Sequence, residues 1–189
     1  LLALAGYVRG EWPARALAAA LEPSARGVRD DDSDGPRLLG DIKVGKTSIV
    51  RRLVFDKFAT NYKVTINVDI YKYEIDDAGP ARDQRLELVI WDTDGNMADS
   101  IFRQQNYMTG SSAAMIVGDI TRPQSLELML HLSNLCREKL PGRHVTMVLN
   151  KIDLPSADVD RAAEMVEEVI GLDCSGALMT SGKTGLGVP

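Results

Sequence analysis

Short apolar runs alternate with amphipathic segments along most of this chain. Continuous apolar stretches at Ala113–Asp119 and Thr146–Leu149 predict strands that are covered on both faces. Between them, apolar positions recur at helical spacing from Gln124 to Lys139. Val68–Ile75 and Leu86–Trp91 are typical of two strands joined by a hairpin. Strands alternating with helices in this way predict an α/β fold with a doubly wound, mostly parallel sheet.

Less pronounced patterns predict the remaining elements. They are a strand end at Arg37–Leu39, a helix at Ser48–Val54, a helix from Ser156 to about Ile170, and a last strand at Ala177–Thr180. Pro36 is expected to cut the first strand short, because proline cannot donate to a sheet. Ser156 is the expected N-cap of its helix, and Gly171 is the residue expected to end it.

The first 36 residues differ from the rest of the chain. They are rich in Ala, Arg and Leu, with one short predicted helix at Pro13–Leu21, and they end in an acidic Gly-Pro stretch. We expect residues 1–36 to be a disordered extension or linker and 37–189 to be the domain. A processed targeting segment is the alternative, although Glu11 and Glu22 argue against it.

Composition narrows the class of protein. A length of 189 residues with 44% hydrophobic and 26% charged residues suits one soluble globular domain. The net charge of −5 argues against non-specific binding to nucleic acid or anionic membranes. Cys136 and Cys174 form no close pair, so we expect neither a zinc site nor a disulfide framework, and a reducing, cytoplasmic location. The chain begins with Leu1 rather than Met, so the natural N-terminus and any targeting signal there are expected to be absent.

The segment Gly40–Thr47 reads G-x-x-x-x-G-K-T between a predicted strand and a predicted helix. Its two glycines let consecutive N–H groups point at phosphate oxygens, and the helix adds its positive end. Lys46 is expected to reach the β- and γ-phosphates, and the Thr47 hydroxyl to coordinate Mg²⁺. The predicted phosphate-binding residues are Gly40, Lys43, Val44, Gly45, Lys46, Thr47 and Ser48.

Asn150-Lys151-Ile152-Asp153 follows a predicted strand at the edge where such sheets bind ligands. A carboxylate at Asp153 can accept hydrogen bonds from guanine N1–H and from the exocyclic amine, which adenine does not offer in that arrangement. The Lys151 stem can pack along the base, and Asn150 can tie this loop to the phosphate loop. The alternative is a capped helix start, since Asp and Asn are common there. Together with the phosphate loop, the motif predicts guanine binding.

Three further positions are predicted to complete the site. Asp92, at the end of a strand, can hold a Mg²⁺-bound water, and the Gly95 N–H can contact the γ-phosphate. Thr65 lies in a segment that is expected to form a first switch, a loop whose conformation depends on the bound nucleotide, and to supply a second hydroxyl to Mg²⁺. Phe58 is expected to pack against the base. Asp92, Thr47 and Thr65 are thus the predicted metal ligands.

Four segments carry a family resemblance: Thr47–Val50, Tyr62–Asp69, Ile90–Thr93 and Asp119–Pro123. With them, residues 37 to about 135 resemble a Rab-type small GTPase of the Ras superfamily. The resemblance implies the P-loop NTPase fold of small G proteins, with GTP or GDP and Mg²⁺ as ligands. It also implies a monomer that binds effectors and exchange factors through its switch regions. The hydrophobic trio that Rabs use for this falls on Ile70, Trp91 and Tyr107.

The end of the chain resembles a second family. Ser181-Gly182-Lys183 is similar to the Ser-Ala-Lys base loop of GTP-binding proteins, with the Gly182 N–H facing guanine O6. The segments Leu149–Asp158, Glu167–Asp173 and Lys183–Gly187 resemble the G domain of LepA-type translational GTPases. Natural divergence, a gene fusion, a misassembled gene or a constructed chimera would each join two such parts. Both families place a final helix beyond the last strand, and we expect it to be missing after Pro189.

Departures from the family pattern bear on catalysis. Ile42 and Lys43 fill loop positions usually held by small residues, and Ile42 is expected to crowd the γ-phosphate. Asn96 stands where a glutamine normally orients the attacking water, and it is ~1.5 Å shorter. Asp94 replaces an alanine, and at ~5 Å in a dielectric of ~20 each like-charge pair costs roughly 3 kcal/mol. With Lys46, Gly95 and Asn96 as the catalytic residues, we expect slow or absent hydrolysis.

Three roles remain open from the sequence. The first is a regulator of vesicle traffic that resembles Rabs. We expect it on endomembranes if the full protein has a lipidated tail, and we expect no such anchor within residues 1–189. The second is a ribosome-associated GTPase of LepA type, the one case in which a nucleic-acid partner is expected. The third is a pseudo-GTPase scaffold with little or no nucleotide affinity.

Overall fold

The computed structural model describes residues 35–60, 68–75, 86–95, 108, 110–158, 161, 164 and 177–188. Its strands are β1 Gly35–Leu39, β2 Val68–Ile75, β3 Leu86–Thr93, β4 Ser111–Asp119, β5 His144–Asn150 and β6 Leu178–Thr180, and its helices are α1 Lys46–Phe55 and α2 Pro123–Lys139. The six strands form one sheet in the order β2-β3-β1-β4-β5-β6. Among the described strands, β2 and β3 pair antiparallel, and the other neighbouring pairs are parallel. The predicted α/β fold with a mostly parallel sheet is confirmed.

The first strand is longer than predicted. It begins at Gly35 rather than Arg37, with Pro36 inside it and aligned with Ala113 of β4. The register between β1 and β4 shifts between Gly35 and Pro36. A proline is tolerated at such an irregularity, because the ladder hydrogen bond that it cannot make is already interrupted there.

The predicted N-cap of the helix after β5 is wrong by two residues. Ser156 lies in a turn, and it is Asp158 that accepts a hydrogen bond from the Arg161 N–H, at 3.0 Å. Asp158 caps because its carboxylate reaches the backbone N–H three residues ahead. Residues 161 and 164 are helical, and the rest of that predicted helix lies outside the described residues, as do Pro13–Leu21 and Cys174.

The core lies on both faces of the sheet, because successive strand residues point to opposite sides. One buried cluster contains Ile116 and Leu149 of the sheet with Met129 of α2. The other contains Val117 of β4 with Val50 of α1. All nine residues of β4 are buried, as its continuous apolar run predicts. Among the described residues, no helix is long and apolar enough to cross a membrane.

Candidate functional site

A cleft of about 400 Å³ opens at the carboxyl edge of the parallel strands. The predicted residues that line it are Lys43, Gly45, Lys46, Thr47, Ser48, Phe58, Gly95, Asn150, Lys151, Asp153, Gly182 and Lys183. Gly40, Val44, Asp92 and Ser181 are buried, and none of them lines the cleft. Thr65 and Asn96 lie outside the described residues. The structure thus brings the two predicted sequence motifs, more than 100 residues apart, to one cavity.

The two glycines of the phosphate loop are required by its backbone. Gly40 and Gly45 have φ angles of 138° and 101°, which side chains rarely adopt. A Cβ atom on Gly40 would strike the Val117 carbonyl oxygen, and one on Gly45 would strike the Asn150 amide nitrogen. Lys43 also has a positive φ of 62°, at a cost of roughly 1–2 kcal/mol for a residue with a side chain. The loop keeps its turn at Lys43 despite that cost.

Helix α1 begins at Lys46 with its positive end at the cleft. Its N-cap, Gly45, provides no side-chain hydrogen bond to the first turn. The N–H groups of that turn and the helix dipole therefore suit an anion such as phosphate.

The Lys46 side chain is almost fully buried within the phosphate loop. Its Nζ donates to the carbonyl oxygens of Gly40, at 2.8 Å, and Asp41, at 3.0 Å. Burial lowers the pKa of Lys46 to about 8, although the carboxylates of Asp92, Asp41 and Asp94 oppose this. The side chain remains mostly cationic at neutral pH and is positioned beside the first turn of α1.

Thr47 and Asp92, two of the three predicted metal ligands, are in direct contact. The Thr47 hydroxyl donates to Asp92 Oδ2 at 2.5 Å. Burial raises the pKa of Asp92 to about 6, against the hydrogen bond from Thr47 and the charge of Lys46. Asp92 Oδ1 is buried and has no hydrogen-bond partner in the described part of the chain. A hydroxyl beside a carboxylate with one oxygen left over fits a hard cation such as Mg²⁺ or a water bound to it.

Asn150 bonds to the phosphate loop, as predicted, and also to the loop after β6, which was not predicted. Its Nδ2 donates to the Val44 carbonyl at 2.8 Å. Its Oδ1 accepts from the Thr180 hydroxyl and from the Gly182 N–H, both at 3.1 Å. The sequence predicts that the Gly182 N–H faces guanine O6. In the structure this N–H already donates to Asn150 Oδ1, so it can bond a base only if it is shared between two acceptors.

Asp153 faces the cleft with one carboxylate oxygen held by the last loop. The Ser181 hydroxyl donates to Asp153 Oδ1 at 2.7 Å and accepts from the Thr184 N–H at 3.0 Å. Lys183 Nζ lies 4.0 Å from Asp153 Oδ2. The carboxylate is thus oriented by Ser181, which is fully buried.

An ionic network centred on Asp119 lies beside the cleft and was not predicted from the sequence. Burial alone would raise the pKa of Asp119, but hydrogen bonds from Lys151 and Thr121 outweigh it and hold the pKa below its ordinary value. Lys151 Nζ lies 2.5 Å from Asp119 Oδ2, and Arg122 Nε lies 3.0 Å from the same oxygen. Arg122 also pairs with Asp41 at 3.3 Å and donates to the Ile42 carbonyl at 2.7 Å. The network holds the head of Lys151, and with it the stem that we expect to lie along the base.

Other lining residues were not predicted either. They are Arg51, Ala59, Thr60, Asp69, Thr93 and Leu154. Asp69 had a usable signal, because it is aligned with Asp92 on the neighbouring strand. Thr93 and Leu154 lie in segments that carry a family resemblance but were given no role, and Arg51, Ala59 and Thr60 belong to no predicted motif.

Gly95 lies directly against the phosphate loop. A Cβ atom built on Gly95 would be 2.5 Å from both Cα and N of Ile42. Ile42 itself lines the cleft. The β-branched side chain is therefore next to the position from which the Gly95 N–H is expected to reach a phosphate.

Two of the three predicted effector-binding side chains lie side by side. Ile70 and Trp91 are register partners on β2 and β3, and Ile70 is 55% exposed. The Arg37 guanidinium lies 3.9 Å from the centroid of the Trp91 ring. Tyr107 lies outside the described residues.

Comparisons with known proteins agree with this geometry. The family model described as "Ras family" matches residues 37–176, more than half of the chain. The chain is 38% identical over 104 residues to "Elongation factor 4" of Sorangium cellulosum (strain So ce56), covering 55% of this chain and 16% of the relative. It is 42% identical over 97 residues to "Elongation factor 4" of Maridesulfovibrio salexigens, covering 51% and 16%. The chain thus matches less than a fifth of the length of these curated relatives.

Proposed function

Since this chain belongs to the Ras family, we propose that it is a guanine-nucleotide-binding switch with slow GTP hydrolysis. The observation that carries the proposal is the Asn150 side chain. It bonds Val44 of the phosphate loop and Gly182 of the base loop at the same time. The phosphate loop and the loop that contains Gly182 are thereby held at one distance from each other. That arrangement would suit a nucleotide better than an isolated phosphate.

Different parts of the site would bind the phosphates, the cation and the base. The loop around Lys46 and the first turn of α1 are suited to the phosphates. Thr47 and Asp92 would hold Mg²⁺, which would supply positive charge to the phosphates. Asp153, which accepts a hydrogen bond from Ser181, would accept the two guanine donors, and Phe58 and Lys151 line the same cavity.

Slow hydrolysis is proposed from the residues around the γ-phosphate position. The backbones of Ile42 and Gly95 lie close together, so the β-branched Ile42 side chain is expected to crowd the γ-phosphate. Asp94 lines the cleft and adds negative charge there. Asn96 is shorter than the glutamine that orients water in the family. These features act on turnover and leave diphosphate binding intact.

Calorimetry with the purified chain in Mg²⁺ tests binding, with GDP and GTP against ADP and ATP. We expect guanine nucleotides to bind and adenine nucleotides to bind far more weakly. No affinity for GDP would establish a pseudo-GTPase scaffold instead.

Single-turnover hydrolysis of GTP tests the second half of the proposal. We expect a rate well below that of an active Ras-like domain, and a higher rate when Asn96→Gln is combined with Asp94→Ala. A rapid rate in the unaltered chain, or no gain in the double variant, would contradict it.

The cellular role that we propose is the regulation of vesicle traffic in the manner of Rabs, with the Ile70–Trp91 surface contacting effectors. A second candidate, a ribosome-associated GTPase, is favoured by the similarity to the two proteins named Elongation factor 4. Co-sedimentation with ribosomes in the presence of a non-hydrolysable GTP analogue separates the two. Nucleotide-dependent co-sedimentation would favour the second candidate.

A further inference from the structure

Arg52, in the last turn of α1, is bonded to the backbone of the base loop, which we define as residues 181–185. Its Nη2 donates to the Lys183 carbonyl at 2.5 Å, and its Nε donates to the Gly182 carbonyl at 3.4 Å. The side chain is 16% exposed. One guanidinium thus holds two consecutive carbonyls of a loop that is 130 residues away in sequence.

The far side of the guanidinium is fixed by the end of its own helix. Arg52 Nη1 donates to Asp56 Oδ1 at 2.8 Å and to the Asp56 carbonyl at 3.2 Å. Asp56 is the C-cap of α1, with a φ of 50°. Because a guanidinium is planar and rigid, fixing Nη1 also fixes the direction in which Nε and Nη2 point.

The base loop lies against α1 at close range. A Cβ atom on Gly182 would be 3.1 Å from Ser48 Cβ and 3.2 Å from the Ile49 nitrogen. That spacing is tighter than ordinary van der Waals contact, so an alanine there would displace the loop by a few tenths of an ångström. The hydrogen bonds of Arg52 and the missing side chain of Gly182 therefore both belong to one contact between the loop and the helix.

The position of this loop determines the orientation of Asp153. Ser181 precedes the two carbonyls that Arg52 holds, and its hydroxyl donates to Asp153 Oδ1. Lys183 follows on the other side, with its Nζ 4.0 Å from Asp153 Oδ2. If the loop moves away from α1, the donors that orient the carboxylate move with it.

We propose that Arg52 is a positioning residue for base recognition. By holding residues 182–183 against α1, it sets the Ser181–Asp153 hydrogen bond that presents the carboxylate to guanine. The inference rests on the proposed guanine-nucleotide site. It gives Arg52 a role in the selectivity of that site for guanine over other bases.

The test compares Arg52→Met with Arg143→Met, which makes the same substitution at an exposed arginine in the turn before β5, away from the cleft. The readouts are the release rate of a fluorescent GDP analogue, the GDP-to-IDP affinity ratio and the thermal midpoint. IDP lacks the exocyclic amine that Asp153 is proposed to read. We expect Arg52→Met to speed release about ten- to a hundredfold, as expected for losing hydrogen bonds from a charged donor. The GDP-to-IDP ratio should fall towards one, and Arg143→Met should change neither quantity.

Two further variants address the chemistry of the contact. Arg52→Lys keeps the charge but has no fork to reach both carbonyls and Asp56, so we expect it to restore little of the selectivity. Gly182→Ala disturbs the same contact from the loop side, and it should also lower the GDP-to-IDP ratio. It should add little when combined with Arg52→Met, because both act through one contact.

The outcomes separate the inference from the function on which it rests. A lower thermal midpoint with an unchanged GDP-to-IDP ratio in both Arg52→Met and Gly182→Ala would make the contact merely structural and overturn the inference. An unaltered chain that binds no guanine nucleotide would overturn the proposed function, and the inference with it. If Arg52→Met does not fold, Gly182→Ala decides alone.

Discussion

The acidity of the Asp92 carboxyl is strongly changed by its surroundings in the fold. It is fully buried beside Lys46 and Thr47, and one of its oxygens has no hydrogen-bond partner in the described structure. Burying a carboxylate in this way disfavours its charged form. The same environment that makes Asp92 a suitable neighbour for a cation makes it costly when no cation is bound.

This cost predicts a pH dependence of folding in the absence of divalent ions. The pKa of Asp92 is raised from 3.8 to about 6, so the folded state binds the proton more tightly than the unfolded state. The stabilisation is fully present below about pH 4 and is lost as the pH rises through 6, by about 3 kcal/mol. We expect denaturant titrations in EDTA to show this loss in the unaltered chain and not in Asp92→Asn. Parallel pH profiles for the two proteins would contradict it.

Asp153 carries a second prediction at this scale. In Asp153→Asn the side chain offers an N–H and one acceptor in place of two acceptors, which suits xanthine, with an oxygen at position 2, better than guanine. We expect affinity for GDP to fall by at least tenfold, or 1.4 kcal/mol by the usual conversion, and affinity for XDP to rise. Competition binding measures both. Glu138→Gln, a loss of charge in an exposed ion pair of α2, serves as the control and should change neither.

Helix α2 is joined to the end of β4 by one buried hydroxyl. Ser125 Oγ accepts from the Asp119 N–H and donates to the Arg122 carbonyl, at 3.0 and 2.8 Å. Ser133, on the same helix, is equally buried, but its hydroxyl has no hydrogen-bond partner in the described part of the structure. The helix thus carries two equally buried serines, one with a hydrogen-bonded hydroxyl and one whose hydroxyl has no partner among the described residues.

The two serines make a matched test of how α2 is attached. Ser125→Ala leaves the buried Asp119 N–H unsatisfied, so we expect it to lower the free energy of unfolding by about 1–3 kcal/mol. Ser133→Ala removes a hydroxyl that satisfies nothing, so it should be neutral or slightly stabilising. Chemical denaturation of both variants gives the comparison. Equal losses would show that the Ser125 hydrogen bonds do not anchor the helix.

The elements show which features a sequence can predict and which it cannot. The apolar runs of β4 and β5 and the glycine loop before α1 depend on local pattern, so they were predicted with small errors in their ends. The true start of β1 depends on a register shift against β4, and the contacts of Arg52 and Arg122 depend on loops far away in sequence. Such residues carry no local signal of their partners, which is why both arginines were missed as site residues.

At the scale of the molecule, the cleft joins the two halves of the chain. The phosphate loop and α1 come from the first half, and the motifs around Asn150 and Ser181 come from the second. Asn150, Arg52 and Arg122 each bond across this division. A ligand that occupies the cleft is therefore expected to stabilise the whole fold rather than one loop.

This coupling predicts a specific thermal shift. GDP with Mg²⁺ at one hundred times its dissociation constant should stabilise the folded state by about 2.7 kcal/mol, which for a domain of this size raises the thermal midpoint by several degrees. ADP under the same conditions should give little shift, and EDTA should reduce the effect of GDP. Equal shifts with GDP and ADP would argue against base recognition in the cleft.

The stacking of Arg37 on Trp91 has a practical consequence. An indole ring is fluorescent, and its emission responds to a nearby cation and to solvent. Trp91 immediately precedes Asp92 and Thr93, and the chain has only one other tryptophan, Trp12. In a Trp12→Phe background, Trp91 would be the single intrinsic fluorophore, one residue from the proposed cation ligand. The chain therefore carries its own optical probe, with which ligand arrival can be timed without attaching a dye.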